Sequence, residues 1–177
     1  NALALKIPDS VSDVRNNKYE IMDLFGGQSD LGSKLIRAVG NPDDRFSEDA
    51  LRMLRAVRFA AQLDFNIEQK TLDSIVKNNE LLKHISKERI RDEFEKMIMT
   101  PRAAWAVQIL SNLKLLRFIL PELEEGINVG QNKHHIYTVW EHNLRALDYS
   151  VSKNYSLKIR LASLLHDVGK PRTKAGN

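Results

Sequence analysis

The stretch EDALRMLRAVRF, residues 48–59, decides the reading of this chain. At about 100° per residue, Met53, Leu54 and Val57 share one side of a helix, and Ala60, Ala61 and Phe65 continue that side. Arg52, Arg55 and Arg58, each three residues from the next, fall together on the opposite side. Ser47 is placed as the N-cap, with Glu48 and Asp49 in the first turn, where carboxylates suit the helix dipole. Three stacked guanidiniums repel one another unless something anionic or hydrogen-bonding faces them. One explanation is a solvated face with weak ion pairs at i,i+3 spacing, such as Asp49 with Arg52.

A second explanation is chemical. Cytosine and adenine each present an exocyclic amino donor beside a ring-nitrogen acceptor, and uracil and guanine present the reverse order. A carboxylate acceptor beside an arginine donor therefore fits C and A and mismatches U and G. Asp49 and Arg52 form such a pair on a rigid helix, and Arg55 and Arg58 continue the ridge where they could neutralise phosphates.

Outward from this helix the pattern stays helical. IEQKTLDSIVKNNELL follows, then SKERIRDEFEKMIMT with Ile90, Phe94, Met97 and Ile98 as its apolar stripe, ended by Pro101. AAWAVQILSNLKLLRFIL reads as one helix stopped by Pro121. The loop EEGINVGQNKHH marks a boundary, and YTVWEHNLRALDYSV and SLKIRLASLLHDVG are two further helices. Residues 1–40 read as β-rich: ALALKI, the second half of VRNNKYEIMDLF after an Asn-Asn turn, and KLIRAV are strands, with FGGQSDLGS as turn chemistry. Asp43 and Asp44 are placed in a loop.

Composition sets outer limits. The chain has 177 residues, 42% of them apolar, enough for a real core. It carries 27 basic and 23 acidic residues, a mild lean toward polyanions, and from Lys133 onward eight basic residues face three acidic ones. With no cysteine, disulfides and zinc-thiolate sites are excluded and a reducing cytoplasm is the expected location. No apolar run approaches the roughly 18 residues of a membrane span, so no membrane partner is expected.

The segment IRAVGNPDDRFSEDALRMLRAVRFAAQLDFNI, residues 36–67, closely resembles the neck of the class II RNA nucleotidyltransferases, the CCA-adding tRNA nucleotidyltransferases and bacterial poly(A) polymerases. NALAL is similar to the end of that family's RDFTINALAL strand. DLFGGQSDLGSKLIRAVG resembles the end of its catalytic head, and ISKERIRDEFEKMI its next neck motif, so the resemblance covers residues 1 to about 125. It implies template-independent addition of C and A, or of A alone, to an RNA 3′ end, most often of tRNA, from CTP and ATP. It also implies that Asp49 and Arg52 read the base, that Arg55 and Arg58 help hold the nucleotide, and that Glu48 orients Arg52. The family's Mg²⁺-binding carboxylates lie upstream of NALAL. Nothing in residues 1–44 reproduces them, so we expect a segment of a longer enzyme that is inactive alone in nucleotidyl transfer.

WEHNLRAL and LLHDVGKP form a second constellation. Imidazole and carboxylate are mixed ligands suited to transition metals or Mg²⁺. Gly169 would let the chain turn, and Lys170 could meet a phosphate. The pattern resembles the start of an HD-type phosphohydrolase domain, which implies that His142, His166 and Asp167 form an incomplete divalent-metal site. The expected architecture is mainly α: a β remnant of the head (1–44), a helical neck that binds nucleotide and RNA (45–126), and the first helices of an HD domain (127–177). Two alternatives stand beside nucleotide addition: an HD metal-dependent phosphohydrolase using the neck as scaffold, and a non-catalytic RNA-binding module.

Overall fold

The structure is a computed structural model that describes residues 3–6, 20–130 and 136–173. Helices dominate it, as the sequence pattern predicts. β1 (Leu3–Lys6) pairs antiparallel with β2 (Glu20–Asp23), with Leu3 opposite Asp23. The expected Asn-Asn turn before β2 lies outside the described residues. Two expectations for this region need correction. The Gly-rich stretch after β2 is a short helix, α1 (Gly27–Gly32), because both Asp23 carboxylate oxygens accept from the backbone N–H groups of Gly27 and Gln28 and so satisfy its first turn. The third strand shrinks to β3 (Leu35–Ile36), which pairs in parallel with β4 (Asn66–Ile67) and not with the hairpin.

The arginine helix begins later than the sequence suggests. Asn41 caps a separate helix, α2 (Pro42–Glu48): its side chain accepts from the Asp43 N–H, and Pro42 holds the first position. Asp43 and Asp44 are therefore first-turn carboxylates of a helix and not loop residues, and Ser47 lies inside α2. The backbone breaks at Asp49, which is extended (φ −153°, ψ 102°). Its carboxylate accepts from the Leu51 N–H at 3.1 Å. A short acidic side chain that competes for a backbone donor ends one helix and starts the next. α3 (Leu51–Leu63) then runs to Asp64, which closes it in the left-handed conformation. Met53, Leu54, Val57, Ala60 and Ala61 are fully buried as expected, whereas Phe65, past the end of α3, is only half-buried.

α4 (Gln69–Asn78) packs on α2, and α5 (Lys87–Ile98) packs on α3 with its stripe Ile90, Phe94, Met97 and Ile98 buried. The next predicted helix is interrupted. α6 (Ala103–Asn112) ends where Lys114 takes a left-handed conformation (φ 59°), and a single 3₁₀ turn at Leu116–Phe118 follows. α7 (Pro121–Glu124) leads to a loop in which Gly126 lies under the start of α8 (Val139–Ser152). A Cβ at Gly126 would meet the Trp140 backbone nitrogen at 3.1 Å. α8 opens with a reciprocal capping box between Thr138 and Glu141 and packs on α6 and on α9 (Leu157–Leu165). A last turn, α10 (Lys170–Thr173), follows Gly169. One apolar core runs from α2 to α9: Trp140, Leu147 and Leu164 belong to the same cluster as Met53, Phe94 and Val107.

Candidate functional site: an arginine-lined cleft and a histidine cluster

The outer face of α3 forms one wall of a cleft of about 450 Å³. Arg52 and Arg55 line it, one turn apart, with Ala56 and Phe59 between and below them. The opposite walls supply two more guanidiniums, Arg37 from the segment after β3 and Arg45 from α2. Neither was singled out from the sequence. Both lie within residues 36–67, but only the β3–β4 pairing and the α2–α3 break turn them toward α3.

Each cation is held differently. Arg52 donates to Glu48 Oε2 at 2.5 Å and to the Arg45 carbonyl at 3.1 Å, while Arg45 meets the other Glu48 oxygen at 3.0 Å. Glu48 thus bridges two arginines and fixes where Arg52 points. Arg37 forks onto Asp30, at 2.7 and 3.2 Å. Arg55 is exposed, and among the described residues no carboxylate pairs with it; its guanidinium lies 5.8 Å from the Phe59 ring.

Asp49 and Arg58 sit differently from the sequence expectation. Asp49 is not on the arginine helix but in the break before it, where Arg89 of α5 donates to its Oδ2 at 2.8 Å. Burial pushes its carboxyl pKa up. The Arg89 hydrogen bond, the Leu51 N–H and the charges of Arg89 and Arg52 outweigh that and hold it below the usual value. Two of its four acceptor positions are used and two remain. Arg58 is not among the residues that line the cleft. Its side chain is 13% exposed, it is ion-paired with the 6%-exposed Glu93 of α5, and it donates to Gln62 at 2.9 Å. Its guanidinium also lies 4.1 Å from the Phe59 ring centroid. It braces the helix from behind the cleft.

The second constellation is brought together. His142 Nε2 lies 3.0 Å from His166 Nε2, and Asp167 Oδ2 lies 3.5 and 3.4 Å from the two. One ligand atom from each falls within 4.8 Å of the others. His166 Nδ1–H donates to the Ser163 carbonyl at 2.8 Å, which leaves its Nε2 with a lone pair facing the cluster. Lys170, expected to meet a phosphate, donates to Asp167 Oδ2 at 2.7 Å.

Comparison with known proteins gives this geometry a context. Residues 64–127 match the family described as the probable RNA and SrmB-binding site of polymerase A. The CCA-adding enzyme of Lactobacillus helveticus is 56% identical over 96 residues, covering 54% of this chain and 24% of that enzyme. Over that stretch the chain is similar to CCA-adding enzymes. The CCA-adding enzyme of Pediococcus pentosaceus is 48% identical over 126 residues, covering 61% of the chain and 32% of the enzyme. Among solved structures, the Bacillus stearothermophilus CCA-adding enzyme in complex with CTP superposes with a TM-score of 0.58 at 29% identity, covering 88% of this chain and 44% of that one. The chain thus spans about a quarter to a third of the length of these CCA-adding enzymes.

Proposed function

We propose that this chain is the nucleotide-selecting and RNA-binding part of a cytoplasmic, template-independent RNA nucleotidyltransferase that adds C and A, or A alone, to the 3′ end of RNA, tRNA above all. The observation that carries this reading is the cleft itself: four guanidiniums line one cavity, and Asp49, outside its lining but near enough to feel the charge of Arg52, keeps open acceptor positions. The amino group of C or A takes an open lone pair of Asp49. The adjacent ring nitrogen takes an N–H of Arg52, whose orientation is held by Glu48 and the Arg45 carbonyl. Arg55, with no carboxylate to satisfy, and Arg45 meet the phosphates. U and G put like against like at both atoms and are rejected.

The reaction needs Mg²⁺ to clamp the attacking hydroxyl and the leaving pyrophosphate. Four guanidiniums, apolar groups and Thr71 line the cleft and no carboxylate does, so it does not suit a cation of its own. Titration of the chain with each nucleoside triphosphate tests the reading. ATP and CTP should bind more tightly than GTP and UTP, and labelled ATP should not be incorporated into tRNA by the chain alone. Equal affinity for all four would reject base selection.

The histidine cluster favours a second role. His142, His166 and Asp167 are the right donor types at the right separation for a divalent transition metal, as at the start of an HD phosphohydrolase site. Lys170 occupies the carboxylate oxygen that a metal would use, and three ligands bind more weakly than a full set. Calorimetric titration with Mn²⁺ should show weak one-to-one binding that His166→Ala abolishes. Binding unchanged in that variant would remove this role.

A further inference from the structure

Phe59 is the one large aromatic of α3, and it does not join the core. The helix's buried side is made by Met53, Leu54, Val57, Ala60 and Ala61, whereas the Phe59 ring is half-buried and forms part of the cleft wall. Burial favours the core for a phenyl ring, so one left on the wall of a cleft lined by four guanidiniums has another use. It is also held rigidly. Arg58, 4.1 Å from the ring centroid, is itself pinned by Glu93 and Gln62, so the ring is braced by a charge that cannot swing away. Ala56, one turn back toward Arg52, leaves the wall low beside it.

We infer that Phe59 is the stacking platform for the base of a nucleoside triphosphate bound in the cleft, resting on the nucleotide reading above and adding to it a residue that senses the base's π-face and not its edge. Flat aromatic surface is what a base finds favourable after its hydrogen-bonding edge is satisfied, and it tolerates C and A alike. A free nucleotide suits the charge distribution better than an RNA strand does. A triphosphate concentrates several negative charges within a few atoms, and Arg37, Arg45, Arg52 and Arg55 converge on one cavity rather than along a groove.

Binding of ATP, CTP and base-free ribose 5-triphosphate to the chain and to two variants tests this. Phe59→Leu keeps apolar volume and loses the ring; it should weaken ATP and CTP by about tenfold and leave ribose triphosphate unchanged. Phe59→Trp should retain ATP affinity and report it directly, by quenching of the new indole on addition of ATP and not of ribose triphosphate. The Trp variant keeps the test alive if the Leu variant does not fold. Unquenched indole, or equal loss of ATP and ribose triphosphate in Phe59→Leu, would overturn the platform while leaving wild-type preference for ATP and CTP intact. Wild-type chain that binds no nucleotide would reject both readings. A short RNA oligonucleotide that loses affinity in Phe59→Leu while ATP does not would overturn the assignment to the free nucleotide.

Discussion

Arg58 and Glu93 form an ion pair between α3 and α5 that is almost out of reach of solvent. Spacing places Arg58 on the ridge with Arg52 and Arg55, yet in the middle of α3 its side chain turns to α5, and Glu93 claims it. No local signal identifies that partner, which is 35 residues away. Glu93→Ala should leave the Arg58 charge half-buried and unpaired at a cost of about 2–4 kcal/mol, read as a lower urea midpoint; an unchanged midpoint would mean that the pair is solvent-compensated. Asp49 was legible as a carboxylate beside Arg52 but not as the helix break, because the Arg89 that holds its other oxygen lies 40 residues away on α5. Asp49→Ala therefore carries two effects. Preference for ATP and CTP over GTP and UTP should fall by about one to two orders of magnitude, the worth of a bidentate base contact. Stability should also fall by about 1 kcal/mol through loss of the cap. Retained base preference with lowered stability would make Asp49 a capping residue only.

At the level of elements, α3 and α5 were readable because apolar positions repeat at helical spacing, and those on the core side, Met53, Leu54, Val57, Ala60 and Ala61 in α3 and Ile90, Phe94, Met97 and Ile98 in α5, are buried. α1 and α2 were not, since six and seven residues are too few to show a period and their starts depend on side-chain donors and acceptors. α2 is fastened to α4 through one carboxylate. Asp43 accepts from Lys77 at 2.5 Å, from the Ser74 hydroxyl and from the Asn78 amide at 2.8 Å. The Lys77 hydrogen bond foremost, with Ser74 and Asn78, holds its carboxyl at about 2 against the opposing push of burial. A carboxyl lowered in the folded state stabilises it above the unfolded value of about 3.9, and that contribution is lost as pH falls toward the folded value. The urea midpoint of the chain should therefore drop between about pH 4 and pH 2. Asp43→Asn should start lower at neutral pH and decline less steeply over that window; parallel curves would place the acid sensitivity elsewhere.

Across the whole molecule, the sequence loop at 125–135 suggests a boundary, but the side chains on either side of it share one core. Trp140 Nε1 donates to Gln108 of α6 at 2.9 Å, and α9 is tied back to the end of α5 by a buried arginine. Arg160 is 3% exposed, and among the described residues it donates only to carbonyls: Tyr155 at 2.9 Å, Ile98 at 3.1 Å and Thr100 at 3.3 Å. The Ile98 and Thr100 carbonyls lie at the C-terminal end of α5, where the helix dipole favours a cation, so the guanidinium supplies both charge and a fork of donors. Arg160→Met keeps the alkyl stem, removes every donor and leaves buried carbonyls unpaired, which should cost about 2–4 kcal/mol. Arg160→Lys should recover part of this, since the ammonium restores the charge without the fork. The two tryptophans make the test informative, because Trp105 lies on α6 and Trp140 on α8. If residues 136–173 and the neck unfold as one body, tryptophan fluorescence and far-UV circular dichroism should give coincident urea transitions in wild type and a joint shift to lower urea in Arg160→Met. Separate transitions in wild type, with helical signal lost in two steps, would show that the shared core does not couple the two regions, and that Arg160 fastens only the later helices.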